Sequence, residues 1–281
     1  VANGGLYHIV WAGIVSGRNA MFNFTVTLVV LFILMILLSL SVAAGRWYGK
    51  KELAKQNHDQ LEVVMVAEGA VFTLLALLIA FSFSGAFERF ENRKLHVINE
   101  ANVINVAYKG IDMMAPAAQP ALRASFREYL DAQLQFYKLA RYATNTNFFN
   151  EAIAISKGIE NKIWSQALSA CKLTHDPIAT QLFIPDITNM FDIESTGMEI
   201  TRVHPPAAIF GLLIGLAILS GFLAGYTTAN SKTKFSLHIL SYILITAFTV
   251  YIIIDLEFPR IGLIRVDAFD QILQNIRGQM R

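Results

Sequence analysis

The sequence predicts an all-α membrane protein: four transmembrane helices, arranged two and two (2+2), with a four-helix soluble domain between spans 2 and 3. Three observations predict it. Of 281 residues, 54% are hydrophobic and only 16% are charged, at a mean hydropathy of +0.46. A soluble globular chain carries about 25% charged residues, so the apolar excess has to face lipid. Four apolar windows each reach the roughly 20 residues that a helix needs to cross about 30 Å of hydrocarbon. Between the second and third windows the chain turns to a polar pattern with steps of three and four, punctuated by prolines.

Residues 1–23 are expected to be an N-terminal tail, partly foreign to the native chain, because the chain opens on valine and Met21 stands where a natural start would. The first span, Phe24–Ala44, carries no charge. It exceeds the apolar core of a signal peptide, about 7–15 residues, and so reads as a retained anchor. The second span, Val63–Phe87, is interrupted only by Glu68. The third is Pro206–Tyr226 and the fourth Phe235–Ile254. The membrane segments are therefore 24–87 and 205–254. Each is helix rather than strand, since lipid offers the backbone no partners and a helix closes its own hydrogen bonds. In the third span Gly211 and Gly215, then Gly221 and Gly225, stand four apart, a spacing that lets helix backbones approach closely.

Residues 88–204 form the helical domain. Phe83, Phe87, Phe90, Val97, Ala101, Ile104, Tyr108 and Ile111 recur at helical steps, and this stripe begins inside the second span. The spacing predicts one unbroken helix from Val63 to Met114, stopped by Pro116 and Pro120. Pro120 suits the first position of a new helix through Ala143. The polar TNTN at Thr144–Asn147 separates it from a third, Phe148–Leu173. Asp176-Pro177 breaks again, and a last helix reaches Arg202, with Pro185 a site for a kink. Segment 255–281 follows the fourth span. Asp267 caps a short amphipathic helix there, with Phe269, Ile272, Leu273, Ile276 and Met280 on one face. That helix packs on the bundle or lies at the membrane surface.

Several function classes fall away. Net charge is +2, from 23 basic and 21 acidic residues, with no concentrated basic face, so no nucleic-acid partner is expected. The single cysteine, Cys171, excludes a disulfide framework, and the six histidines form no pair at ligand spacing, so no metal or other cofactor is expected. No G-x-S-x-G, H-E-x-x-H or phosphate-loop motif occurs, which leaves no catalytic residues and argues against an enzyme.

Polar groups in apolar surroundings are the better guide. A carboxylate inside a span, here Glu68, is costly and usually faces water or a bundle interior. On the continuous helix, Glu88, Asn92, Asn99 and Asn102 fall roughly opposite the aromatic stripe, at about 100° of turn per residue. The candidate pore-lining or ion-binding set is Glu68, Phe72, Phe83, Ser84, Phe87, Glu88, Asn92 and Asn99. Beyond the fourth span, Asp255, Glu257, Arg260, Arg265 and Asp267 alternate in sign and are expected to neutralise one another as a structural charge cluster.

An even number of spans puts both termini and the helical domain on one side. Arg46, Lys50, Lys51 and Lys55 lie in the first short loop, and Lys232 and Lys234 in the second. Short loops weigh most in the positive-inside rule, which favours an extracytoplasmic helical domain in a prokaryotic inner membrane.

The stretch EGAVFTLLALLIAFSFSGAFERFENRK followed by INEANVI resembles the second-span signature of the bestrophin-like family, a domain-of-unknown-function group of prokaryotic and plant membrane proteins. PALRASFREYLD, FLAGYTTANS and DLEFPRIGLIRVD are similar to its later blocks, in order from Phe24 to Met280. By motif, the signature positions are Glu68, Gly69, Phe81, Phe83, Ser84, Gly85, Phe87 and Arg89, then Glu100 and Asn102. In the last block they are Asp255, Pro259, Arg260, Gly262, Arg265 and Asp267. The family's name marks a distant relation to bestrophins, pentameric ion channels with the same two-plus-two plan and a pore-lining second helix. The resemblance implies a cyclic homo-oligomer, pentameric, in a lipid bilayer, with inorganic ions as cargo. It also implies a cytoplasmic helical domain, against the loop charges. Two functions follow: an oligomeric channel, cation-conducting if carboxylate rings set its selectivity, or a non-conducting scaffold or sensor whose helical domain binds a partner.

Overall fold

All four apolar windows fold as long helices, and the polar stretch between them folds as a helical bundle. The computed structural model describes residues 4–53, 59–140, 146–202, 204–229, 237–259, 263–264 and 267–280. In chain order the helices are α1 (Gly4–Leu53), α2 (Asp59–Gly110), α3 (Gln119–Ala140), α4 (Thr146–Thr174), α5 (Pro177–Arg202), α6 (Ala207–Thr227), α7 (Leu237–Glu257) and α8 (Asp267–Gln279). Among the described residues there is no strand. The membrane-length apolar stretches lie in α1, α2, α6 and α7.

Two expectations change in detail. Residues 4–23, expected in an N-terminal tail, are the first turns of α1. Nothing between Gly4 and Leu53 breaks a helix, because no proline occurs there. The long second helix ends at Gly110, and a single 3₁₀ turn, Ile111–Met113, completes it before the proline-containing loop. Pro185 lies inside α5 without ending it. A carboxylate that sequence analysis read only as part of a break caps α5: Asp176 Oδ1 accepts from the Ile178 and Ala179 amides at 2.9 and 3.2 Å.

The chain divides into two compact units, Val1–Arg89 with His204–Ile264, and Phe90–Val203 with Arg265–Arg281. α2 crosses the division, and the segment after α7 is shared out at Ile264. In the first unit, Leu34, Leu38 and Val42 of α1 are buried with Leu213 and Ala217 of α6 and Ile243, Ala247 and Val250 of α7. Lipid is as apolar as these side chains, so close packing rather than water exclusion has to hold the helices together. Glycine makes that packing possible. A Cβ on Gly45 would stand 1.9 Å from the Phe222 carbonyl oxygen, and one on Gly225 only 2.1 Å from that of Val42. Of the four spaced glycines in the third span, Gly221 and Gly225 meet α1, while Gly211 and Gly215 have nothing within 4 Å.

In the second unit, Val97, Ala101 and Ile104 of α2 and Ile111 of the 3₁₀ turn join Leu122, Phe126 and Leu130 of α3. Ile163 and Ala167 of α4 and Phe183, Ile187 and Met190 of α5 complete the core. Each of the larger side chains contributes about 1.5–3 kcal/mol on full burial. The amphipathic tail resolves to one of its two expected places. α8 packs on this bundle through Leu273, Ile272 and Ile276, and Arg277 holds Asp131 of α3 with two bonds of 2.7 and 2.8 Å.

Candidate functional site

The site is built on α2, whose two faces have opposite characters. Leu75, Ala86, Arg93, Val97, Glu100 and Ile104 are buried, at steps of three, four or sums of them. Opposite them, Ser84 and Glu88 in the first unit, and Asn92, Asn99 and Asn102 in the second, are all exposed. Phe81 and Leu77 extend the exposed register toward the start of the helix at 68% and 52% exposure. Phe83 and Phe87 lie to one side, half exposed, with their rings stacked at 6.3 Å and 10° between planes. Ser84, Glu88, Asn92 and Asn99 thus share one face, as the helical register requires.

Glu68 and Phe72 do not share it. Both are only partly exposed and turn toward α7. Phe72 meets Tyr242 edge-on at 5.4 Å, and Glu68 is close enough for its charge to act on the same tyrosine. Tyr242 in turn bonds Ser220 Oγ and lies 3.1 Å from the Ala217 carbonyl of α6. The intramembrane carboxylate therefore sits beside a polar patch of its own chain.

Of the charge cluster after the fourth span, the structure describes both carboxylates of the end of α7, Asp255 and Glu257. Asp255, 4% exposed, accepts from Tyr251 Oη at 2.8 Å, from the Leu263 amide at 3.0 Å and from the Ile264 amide at 2.8 Å. Its carboxylate thus holds the Leu263 and Ile264 amides at the end of α7. Glu257 is fully buried, and two of its partners come from elsewhere in the chain. Arg89 Nε of α2 donates to it at 2.8 Å, and His204 Nδ1 lies at 3.0 Å. His204 also stacks on Phe258 at 5.0 Å. Arg260 and Arg265 lie outside the described residues, and Asp267 opens α8. Sequence reasoning placed Arg89 among signature positions without giving it a partner. It passed over His204 and Tyr251, whose partners are distant in the chain or look ordinary on an apolar helix.

No protein-family profile matches the chain, and no curated protein matches it. Solved structures do. A single-residue variant of a bacterial bestrophin homologue from Klebsiella pneumoniae aligns with a TM-score of 0.57 at 15% identity, over 89% of this chain and 99% of that one. A second variant gives 0.58 at 14% identity over 90% and 98%, and another structure of the homologue 0.55 at 15% over 89% and 98%. The chain has the bestrophin fold. This bears out the distant bestrophin-like relationship expected from the motifs, and with it the multi-pass, all-α membrane architecture. At such identity the likeness is one of fold, and function has to be argued from the site. Within the bestrophin fold of this chain, α2 carries a polar, exposed face and a buried, packed one.

Proposed function

We propose that the protein is a homo-oligomeric ion channel of bestrophin type, with α2 of each copy lining a central path. One observation carries the reading. Only 6% of the apolar window of α2 is buried by its own chain, against 28% for α1, 22% for α6 and 39% for α7. That helix is the least covered of the four, yet its exposed register passes from Phe81 to Ser84, Glu88, Asn92 and Asn99, which lipid does not suit. A closed ring of copies supplies the missing cover, and its axis gives the polar face water. Phe83 and Phe87 then form an apolar constriction, and Glu88 a carboxylate ring that favours cations. The partners in this reading are the lipid bilayer, further copies of the chain and inorganic ions, with no nucleic acid and no enzymatic chemistry. The fold of the bestrophin homologues supports the channel reading, and a pentamer is the ring size that the resemblance suggests.

Reconstitution in planar bilayers tests this. Purified oligomers should conduct. Glu88→Gln should lower the permeability ratio of cations over anions, and Phe87→Ala should raise conductance. Well-behaved oligomers that pass no current at any voltage or ionic condition would sink the reading and leave the scaffold alternative.

A further inference from the structure

Three glutamates occupy core positions in the helical bundle: Glu100 on α2, Glu160 on α4 and Glu194 on α5, at 0%, 5% and 3% exposure. Tyr137 Oη donates to Glu100 Oε2 at 2.5 Å. Gln133 Nε2 and Ser156 Oγ both donate to Glu194 Oε1, at 2.8 and 2.5 Å. Lys157 Nζ donates to Glu160 Oε2 at 2.7 Å. The other oxygens of the latter two, Glu160 Oε1 and Glu194 Oε2, are buried and meet no donor. The Tyr129 hydroxyl, fully buried on α3, also makes no hydrogen bond, and it lies in the field of all three carboxyls. Glu160 and Glu194 are within hydrogen-bonding reach of each other.

Two buried carboxylates at that range cannot both stay ionised, because their repulsion adds to the cost of burying each charge. A donor between two acceptor oxygens has to be a proton or a cation. Among the described residues no group of three His, Cys, Asp or Glu side chains is placed to hold a metal ion. We propose that Glu160 and Glu194 share one proton, and that this proton is a pH-sensitive latch between α4 and α5.

The surroundings fit a latch that opens on deprotonation. Lys157 is 52% exposed at the rim, so it offsets the charge of one carboxylate and not of two. Asp192 on α5 acts on Lys157 and weakens even that compensation. Tyr129 and Tyr137 on α3 and Glu100 on α2 face the pair from the other side. His96, one turn before Glu100, packs against Gly197 of α5, and Arg93 is buried one turn earlier. Burial first, and Glu194 second, push the Glu160 carboxyl up to about 7 against the pull of Lys157. The pair titrates as a unit, so this places the release of one shared proton in the neutral range. Below it the two oxygens are bridged; above it two adjacent buried charges press α4 and α5 apart.

The test is hydrogen exchange read by mass spectrometry on the full chain in nanodiscs, at pH 6 and pH 8, corrected for intrinsic exchange chemistry. Amides of α4 and α5 near the pair should open about tenfold more often at pH 8, the factor by which a site titrating near 7 loses its stabilisation between those values. Glu160→Gln keeps a donor toward Glu194 without a titrating proton, so its exchange should be the same at both. Infrared spectra should show a protonated carboxyl stretch at pH 6 in the native chain that vanishes at pH 8 and is missing from the Glu160→Gln variant. Equal opening at both values in the native chain, or an undiminished pH dependence in the variant, overturns the proposal. Should the variant fail to fold, a native-chain carboxyl band that does not change between pH 6 and pH 8 overturns it alone. None of these readouts depends on conduction.

Discussion

Single side chains in this protein are defined by which partner can still find water. Glu257 is fully buried, while the Arg89 side chain is 30% exposed and that of His204 is 38% exposed. The pair is therefore asymmetric. Arg89→Met leaves a buried carboxylate short of one donor, which costs about 1–3 kcal/mol, whereas Glu257→Gln leaves an arginine that water can reach. Thermal unfolding in detergent should show the first variant as the less stable of the two. Glu160 gives the pH counterpart. Its carboxyl rises from an ordinary 4.5 to about 7 on folding, so the folded state binds the proton more tightly than the unfolded one. Its contribution to stability is then full below about 4.5, declines as pH climbs toward about 7 and is absent above that. Melting temperature should fall across this window in the native chain, and should fall less in Glu160→Gln. All three core glutamates were legible as a pattern: Glu194 continues the steps Phe183, Ile187, Met190, and Glu160 falls one turn before Ile163. A charged residue on an apolar register was the available signal. Which oxygens lack a donor was not, because that depends on three helices meeting.

Among the elements, α1 and α6 show how glycine spacing turns into packing. Spacing alone marks Gly211 and Gly215 as strongly as Gly221 and Gly225, and in the structure they differ entirely. A side chain at Gly225 would collide with backbone, which cannot swing away as a side-chain tip can. Gly225→Val should therefore separate α1 from α6 and cost about 1–3 kcal/mol or more, read as a lower melting temperature in detergent. Gly211→Ala should change it little, since that position opens on empty space within one chain. A marked loss from Gly211→Ala would instead place a neighbouring copy there. α2 shows the converse, an element whose sequence was nearly sufficient. Its stripe of Val97, Ala101 and Ile104 is buried as the periodicity predicts, and Asn92, Asn99 and Asn102 are exposed opposite them. Helical register alone fixes that division, so no tertiary information was needed. Glu68 and Phe72 escaped the same logic because they were chosen for chemistry rather than angle, and their register puts them with the packed face.

At the scale of the whole molecule, the channel reading needs further copies of the chain around α2, whose apolar window is only 6% buried. Native mass spectrometry from nanodiscs should therefore give a single closed oligomer, with a pentamer as the expected size, and cross-links between cysteines introduced at Asn99 should join copies of α2 to one another. A monomer under these conditions would remove the water-filled axis on which the channel reading depends. Membrane orientation belongs to the same scale. An even number of spans puts the C-terminus and the helical domain on one side, so a reporter fused after Arg281 should be active outside the cytoplasm if loop charges decide. Cytoplasmic activity would favour the arrangement that the bestrophin resemblance implies.

The sequence by itself determined the helices, their order and the faces they present, because length, hydropathy and a 3.6-residue period are local properties of the chain. It also carried the distant bestrophin resemblance, in blocks such as EGAVFTLLALLIAFSFSGAFERFENRK. Only the tertiary structure decided which glycines touch a neighbour, that Arg89 and His204 meet Glu257, that Glu68 turns toward Tyr242, and that α8 lies on the bundle. Each of these joins residues far apart in the chain, and their distances depend on how helices pack, which no local pattern encodes.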